Sequence, residues 1–164
     1  MKPEYKLVAK NKYIALAAAL ADEIWREAYA RRFTPKQLTA ILTAQQSAEA
    51  IEAEMDAGSN YFIVLLAEKP VGYYAWVMRG GTLVLTQLYL KAEVRRRGIG
   101  RDIVQSCERL ARADGKGGVE AVVGQKCLDT QAFFKALGYR QTAAAPAVLA
   151  EGISWDTVTL THRL

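Results

Sequence analysis

Residues 88–101, Leu-Tyr-Leu-Lys-Ala-Glu-Val-Arg-Arg-Arg-Gly-Ile-Gly-Arg, are the most informative stretch of the sequence. Leu88–Leu90 has the apolar pattern of a strand, Lys91–Arg97 is a charged loop, and Gly98–Gly100 opens a helical pattern. A helix start exposes unpaired backbone N–H groups and the positive end of the helix dipole. Glycines let the backbone approach a diphosphate, and arginines add charge-assisted hydrogen bonds. The stretch therefore predicts a binding loop for a phosphorylated ligand.

Two other phosphate-binding motifs fit this stretch less well. The P-loop pattern G-x-x-x-x-G-K-[ST] does not occur in the sequence. The dinucleotide fingerprint G-x-G-x-x-G would need a glycine where Ile103 stands. A solvated run of charges before a tight glycine turn is the alternative without a function, and the elements that flank the loop argue against it.

The elements around the loop predict a mixed α/β fold in the order β-α-α-β-β-β-α-β-α-β-β. A weak alternation over residues 4–9 predicts the first strand. Apolar residues at three-to-four spacing predict a helix from a cap at Asn11 to about Arg31. Thr34-Pro35-Lys36-Gln37 is a capping box that starts a second helix, or a broken pair of helices, ending at Ala57.

An antiparallel meander over residues 61–90 leads into the loop. On its third strand, strict alternation predicts that Leu83, Leu85, Gln87 and Tyr89 share one face. The pattern after the loop predicts a helix from Ile99 to the glycines at 115–118, a strand at Val119–Val123, a helix at Asp129–Leu137, and strands near Tyr139–Thr142 and Ser154–Thr161.

The composition is that of one globular domain, residues 1–164. The chain is 51% hydrophobic with a net charge of +5, a mild excess that suits an anionic ligand as well as nucleic acid. No run approaches the ~18 apolar residues of a membrane span, and the N-terminus lacks the apolar core of a signal peptide. Cys107 and Cys127 form neither a zinc pattern nor a disulfide framework. We therefore expect a cytoplasmic protein without a metal or a membrane partner.

Two segments resemble the GNAT superfamily of N-acetyltransferases. Arg95–Gly100 matches the family motif R-x-x-G-x-G/A, and Leu88–Leu90 looks like the family's fourth strand. Phe133–Tyr139 is similar to a second recurrent segment, an aromatic pair followed after a few residues by Gly-Phe. Since the order of elements is also similar, the resemblance spans nearly the whole chain and implies the GNAT acyltransferase fold.

The resemblance implies that the chain binds acetyl-CoA and transfers the acetyl group to a primary amine by direct attack. The N–H groups of Arg96–Arg101 would hold the pyrophosphate, and the main chain of Leu88–Leu90 would bind the pantetheine arm like an added strand. An N–H near Leu90 would polarise the thioester carbonyl. The residues that the resemblance assigns to acetyl-CoA are Leu88, Tyr89, Leu90, Arg95, Arg96, Arg97, Gly98, Ile99, Gly100 and Arg101.

The resemblance leaves the catalytic groups open. Phe134 stands where many family members have a tyrosine that protonates the leaving thiolate, and Cys127 stands where many have an asparagine. Many members also have a glutamate on the fourth strand, whereas this strand has no carboxylate. The carboxylates that could act through water are Glu23, Glu151 and Asp156. The single imidazole, His162, is expected at an exposed strand edge. Trp25, Tyr29 and Trp155 could reach a substrate in the family's acceptor cleft.

Three functions are compatible with the sequence. The first is an N-acetyltransferase acting on a small-molecule or peptide amine. The second is a toxin-like GNAT enzyme that acetylates aminoacyl-tRNA, which would need a basic stripe away from Arg95–Arg97; only scattered pairs such as Arg31-Arg32 occur. The third is a non-catalytic module that binds CoA or nucleic acid, and Phe134 favours it. Because the arginines cluster at one helix start, we expect an enzyme and no nucleic-acid partner. The resemblance also implies a homodimer, which is common in the family.

Overall fold

The computed structural model describes residues 2–164 and confirms the mixed α/β class. The helices and strands are β1 (Glu4–Leu7), α1 (Ile14–Ala28), α2 (Pro35–Gln46), α3 (Ala48–Asp56), β2 (Asn60–Leu66), β3 (Lys69–Arg79), β4 (Thr82–Leu90), α4 (Ile99–Ala113), β5 (Gly118–Gly124), α5 (Leu128–Ala136), β6 (Arg140–Ala150) and β7 (Ile153–Arg163). A 3₁₀ turn, Ala92–Val94, joins β4 to α4. Among the helices described, none is long and apolar enough to cross a membrane.

The strands form one sheet in the order β1-β2-β3-β4-β5-β7-β6. Neighbouring strands are antiparallel except for β4 and β5, which are parallel and are joined through α4. The sheet separates two hydrophobic cores, one around α4 and α5 and the other around α1–α3. Tyr73 belongs to the second core and its neighbour Tyr74 to the first, because consecutive residues of a strand face opposite sides.

The N-terminal cap predicted at Asn11 is wrong. Ala9 and Lys12 exchange two backbone hydrogen bonds of 3.0 Å, which closes a tight turn before the helix. The residue that precedes α1 is Tyr13, in the left-handed conformation at φ 77° and without a side-chain cap. The helix also ends at Ala28 and not near Arg31. The apolar spacing located α1, but the turn that starts it is set by pairing between backbone groups.

The second predicted helix is a broken pair. The capping box at its start is present: Gln37 N–H donates to Thr34 Oγ1 over 3.1 Å, and Thr34 N–H donates to Gln37 Oε1 over 2.9 Å. Ser47 interrupts the helix with extended backbone at ψ 163°, and its hydroxyl accepts from Ala50 N–H. Ser47 therefore ends α2 and caps α3.

The strict alternation predicted along β4 is wrong, because a β-bulge at Thr86 reverses it. Ala75 of β3 pairs with Gln87 while Trp76 pairs with Leu85, which leaves Thr86 as the extra residue. Its hydroxyl donates to the Ala75 carbonyl over 3.2 Å. Leu83 and Leu85 therefore share the α4 core with Leu88 and Leu90, whereas Tyr89 packs in the core of α1–α3.

Strand β6 is much longer than the predicted Tyr139–Thr142. It runs to Ala150 through an alanine-rich stretch and Pro146. Because β6 is the last strand of the sheet, the missing N–H of Pro146 can face solvent without breaking a ladder bond. The sequence pattern predicted a strand only as far as Thr142, but pairing with β7 extends it to Ala150.

Gly72→Ala is expected to destabilise the contact between β3 and β4. A Cβ at Gly72 would fall inside contact distance of the Tyr89 carbonyl oxygen and 3.0 Å from Leu90 Cα, both backbone atoms that cannot rotate away. We expect the free energy of unfolding to fall by about 1–3 kcal/mol, measured by urea denaturation. Gly81→Ala is the matched control, since nothing lies within 4 Å of a Cβ there. Equal stability of the two variants would contradict this packing.

Candidate active site

Strands β4 and β5 diverge, which opens a wedge in the middle of the sheet. Thr82–Leu85 pairs with Gly118–Ala121, and among the described residues the pairing between these strands ends there. The other edge of β5 is paired with β7 along its whole length. The second half of β4, Thr86–Leu90, therefore has one free edge although β4 is a central strand, and its residues are only half-buried.

The free edge of β4 carries two main-chain donors. Lys91 N–H donates to the Val71 carbonyl over 2.8 Å, and Tyr89 is paired with Tyr73. Since backbone groups alternate in direction along a strand, Leu88 and Leu90 direct their N–H groups away from β3 and into the wedge. The main chain of Tyr89 faces β3, so this residue contributes its side chain to the site.

The loop after β4 presents a row of backbone N–H groups. Gly98, at φ 83°, precedes α4, and the first intrahelical bond runs from Asp102 N–H to the Gly98 carbonyl over 3.0 Å. Within residues 2–164, the N–H groups of Arg96–Arg101 have no acceptor. Arg95 braces the loop, since its guanidinium donates to the Leu90 carbonyl over 3.0 Å and pairs with Glu27 over 2.7 Å. The predicted loop residues are thus brought together at one helix start.

The two glycines of the loop have different roles. A Cβ at Gly98 would meet open space, and its left-handed backbone is the feature that requires glycine. A Cβ at Gly100 would lie 3.2 Å from Cζ of Phe133, so Gly100 allows α4 to pack closely against α5. Gly98 therefore allows the backbone turn that presents the N–H groups of the loop, and Gly100 allows α4 to pack in a fixed position against α5.

A cavity of about 210 Å³ lies beside the wedge, between α1, α2 and the strands β4 to β7. It is lined by Trp25, Tyr29 and Trp155, the residues that the family resemblance suggested could reach a substrate. The ring centroids of Trp25 and Tyr29 are 5.8 Å apart, and those of Tyr29 and Trp155 are 5.7 Å apart, with the rings edge to face. Gln87 and Tyr89 of β4 form the part of the lining that adjoins the wedge.

The ionisable groups at this cavity stay protonated near neutral pH. Burial raises the pKa of Tyr29 to about 12, and it raises the pKa of Tyr89 well above its ordinary value. The two hydroxyls are hydrogen-bonded over 2.8 Å. Burial also raises the pKa of the nearby Cys127 thiol, which is therefore not a ready nucleophile.

The carboxylates considered as bases lie outside the cavity lining. Glu23 pairs with Lys91 over 3.2 Å, and Glu151 and Asp156 are exposed. His162 is not at an exposed edge as predicted, because β7 lies between β5 and β6 and its ring is half-buried. The ring packs against that of Tyr139, with centroids 5.3 Å apart, on the side of the other core.

The residue at the position where many family members have a tyrosine lies in the hydrophobic core. Phe134 is only 3% exposed and packs against Phe133 and Tyr139. Tyr139 is itself buried, as expected, and its hydroxyl donates to Glu108 over 2.8 Å. Neither ring offers a proton to the wedge.

A buried hydrogen-bond chain behind the cavity was not visible in the sequence. Trp25 Nε1 donates to Tyr73 OH over 3.0 Å, and Tyr73 OH donates to Gln46 Oε1 over 2.7 Å. Gln46 Nε2 then donates to Tyr61 OH, which donates to Glu54. The chain fixes the indole of Trp25 in the cavity wall. Its members come from five elements, so their spacing in the sequence gives no signal for it.

The profile of one protein family, described as an acetyltransferase (GNAT) domain, matches residues 29–161. The chain belongs to this family. The match covers α2–α5, the wedge, the loop and most of β7, and it confirms the resemblance carried by Arg95–Gly100 and Phe133–Tyr139. The protein is therefore a GNAT acetyltransferase.

Solved structures of other GNAT acetyltransferases share the fold over the full chain. The PaiA N-acetyltransferase from Thermoplasma acidophilum, in complex with coenzyme A, has 14% identity and a TM-score of 0.81, with 100% of both chains covered. A GCN5-related N-acetyltransferase from Rhodopseudomonas palustris has 20% identity and a TM-score of 0.81, with 100% of this chain and 97% of that chain covered. A GNAT family acetyltransferase from Elizabethkingia anophelis with acetyl-CoA bound has 14% identity and a TM-score of 0.64, covering 99% and 98%.

Proposed function

We propose that this acetyltransferase moves the acetyl group of acetyl-CoA to a primary amine bound in the aromatic cavity. The observation that carries the proposal is the continuous path along the free edge of β4. The edge begins at the loop of unpaired N–H groups, passes Leu90 and Leu88, and ends beside Gln87 and Tyr89 in the cavity lining. Two structures that share the fold contain coenzyme A or acetyl-CoA, which supports this choice of ligand.

The loop suits the pyrophosphate of acetyl-CoA. The N–H groups of Arg96–Arg101 and the N-terminus of α4 would contact its oxygens. The side chains of Arg96, Arg97 and Arg101 are exposed and form no ion pair within the described chain, so they are available to the phosphates. Arg95, in contrast, is engaged with Glu27 and the Leu90 carbonyl, and it acts by holding the loop.

The wedge suits the pantetheine arm and the thioester. An arm extended from the loop would meet Leu90 N–H first and Leu88 N–H next, as an added strand would. The thioester would then lie near Leu88, at the mouth of the cavity. There the Leu88 N–H, and not the Leu90 N–H that the resemblance suggested, would donate to the carbonyl oxygen and stabilise the negative charge that develops on it during attack.

The chemistry is a direct displacement through a tetrahedral intermediate. The nitrogen lone pair forms a bond to the thioester carbon, and the C–S bond then breaks. The proton that the attacking nitrogen loses passes through water to the departing thiolate, so the products are the neutral amide and the thiol of coenzyme A. The amine must arrive as the free base, because the described lining has no carboxylate and because Tyr29, Tyr89 and Cys127 remain protonated. A thiol with a pKa of about 8.5 can leave without a dedicated acid, which accounts for a core phenylalanine at 134.

Calorimetric titration and a thiol-release assay test this function. We expect micromolar binding of acetyl-CoA and release of coenzyme A when a panel of primary amines is added. Raising the pH through the pKa of the acceptor increases its free-base fraction, so kcat/KM should rise and level off at that pKa. Two acceptors of different pKa should therefore give rises at different pH values. If kcat/KM rises at the same pH for both acceptors, the group that titrates is a general base on the enzyme. If no amine releases coenzyme A, the proposed function is overturned.

A further inference from the structure

We infer that the acceptor is an arylalkylamine, a primary amine on an aromatic body that carries neither a carboxylate nor a second ammonium group. This inference rests on the proposed function and names its substrate class. The features that carry it are the ring-lined wall of the cavity, the neutrality of its lining, and one buried acceptor atom at the mouth.

The wall of the cavity is built to bury a ring. Phe33 extends the aromatic set already described, with its centroid 5.7 Å from that of Trp155 and 6.5 Å from that of Tyr29. Aliphatic side chains such as Leu38, Ile41 and Leu149 also line the cavity. Rings in such surroundings gain both apolar burial and edge-to-face contacts. The volume of about 210 Å³ is below that of pockets for drug-sized ligands, so the cavity accommodates a small aromatic group on a short arm.

The lining is electrically neutral. Among the described residues that line the cavity, none carries a carboxylate, an ammonium or a guanidinium group. Three of its polar side chains are already engaged. Gln45 donates to the Leu149 carbonyl over 2.9 Å, Thr86 donates to that of Ala75, and Thr157 donates to that of Ala145 over 2.7 Å. An acceptor with an extra charge would have to bury it without a partner, which strongly opposes binding. Free amino acids and polyamines are therefore poor fits.

Gln87 supplies a hydrogen-bond acceptor at the mouth of the cavity. Its Oε1 is buried and has no hydrogen-bond partner within residues 2–164. An unsatisfied buried acceptor favours a ligand that brings a donor. Gln87 directly precedes Leu88, whose N–H faces the wedge, so an amine N–H bound to Oε1 would hold its nitrogen next to the thioester carbon.

Four acceptors, each assayed by thiol release from acetyl-CoA, test the substrate class. 2-Phenylethylamine and phenylalanine differ by one carboxylate, phenylalaninamide neutralises that carboxylate, and spermidine carries additional ammonium groups. We expect kcat/KM for 2-phenylethylamine to exceed that for phenylalanine and for spermidine at least 100-fold, and phenylalaninamide to recover most of the loss. If phenylalanine or spermidine is the better acceptor, the inference fails while acetyl transfer stands. If none of the four and no other amine releases thiol, the proposed function fails first.

Substitutions of Gln87 test its part separately. Gln87→Leu should lower kcat/KM for 2-phenylethylamine at least tenfold and leave the calorimetric Kd for acetyl-CoA unchanged. Gln87→Glu keeps the oxygen that accepts a hydrogen bond and adds a negative charge. The ratio of kcat/KM for spermidine to kcat/KM for 2-phenylethylamine should therefore rise at least tenfold. A purely structural role would not move that ratio. An unchanged ratio in a variant with normal thermal unfolding would show that Gln87 does not face the acceptor.

Discussion

In a Gly98→Asp variant, the affinity for coenzyme A is expected to fall at least tenfold while the fold stays intact. Gly98 lies at the start of α4, and a Cβ there would meet open space, so the side chain can be accommodated. Its carboxylate would stand among the N–H groups proposed to hold the pyrophosphate. Two like charges 4 Å apart repel by about 4 kcal/mol at an effective dielectric constant of 20, whereas a tenfold loss needs about 1.4 kcal/mol. Tenfold is therefore a lower bound.

Gly98→Asn is the matched control. Asparagine has the size of aspartate and tolerates the same left-handed backbone at φ 83°, but it carries no charge. Calorimetry with coenzyme A should place its Kd much closer to that of the unmodified protein, and added salt should narrow the gap between the variants. If the Gly98→Asp variant binds coenzyme A with unchanged affinity, the pyrophosphate does not lie in this loop. Equal losses in both variants would point to backbone strain instead of charge.

The loop and the fold class could be predicted from the sequence because they depend on local chemistry. Some features act within a few residues, such as a capping box, a glycine at a helix start and a run of arginines. For this reason Thr34–Gln37 and Arg95–Gly100 can be recognised from the sequence alone. The alternation of apolar residues likewise located most strands, since burial on one face is a local pattern.

The shape of the cavity could not be predicted in this way. At Thr86 the register between β3 and β4 shifts by one residue, which makes the bulge. As a result, Leu88 faces the α4 core and Tyr89 faces the cavity. The wedge depends on β5 leaving β4 after Leu85 and pairing with β7. Each of these features is a relation between distant strands. The sequence showed that β4 lacks a carboxylate, and the structure shows that α1, β6 and β7 supply none to the cavity lining either.

Replacing Leu88 with its α-hydroxy acid, leucic acid, is expected to lower kcat by roughly 10²–10³-fold, the usual cost of one oxyanion donor. The replacement exchanges one backbone N–H for an ester oxygen and keeps the side chain in the α4 core. Because this N–H faces the wedge and not β3, the β3–β4 ladder should keep its hydrogen bonds. Nonsense suppression in the full chain, followed by thiol-release kinetics and urea denaturation, would measure activity and stability together.

The same exchange at Tyr89 is the control, since its N–H faces β3 and serves the sheet. It should cost about 0.5–1.5 kcal/mol of the free energy of unfolding, the net contribution of one backbone hydrogen bond. It should leave kcat much less changed than the exchange at Leu88 does. If the ester at Leu88 weakens the binding of coenzyme A but not kcat, this N–H holds the pantetheine arm, and the oxyanion donor must be sought nearer Gln87. If neither quantity changes, the arm does not run along β4, and the free edge has another use.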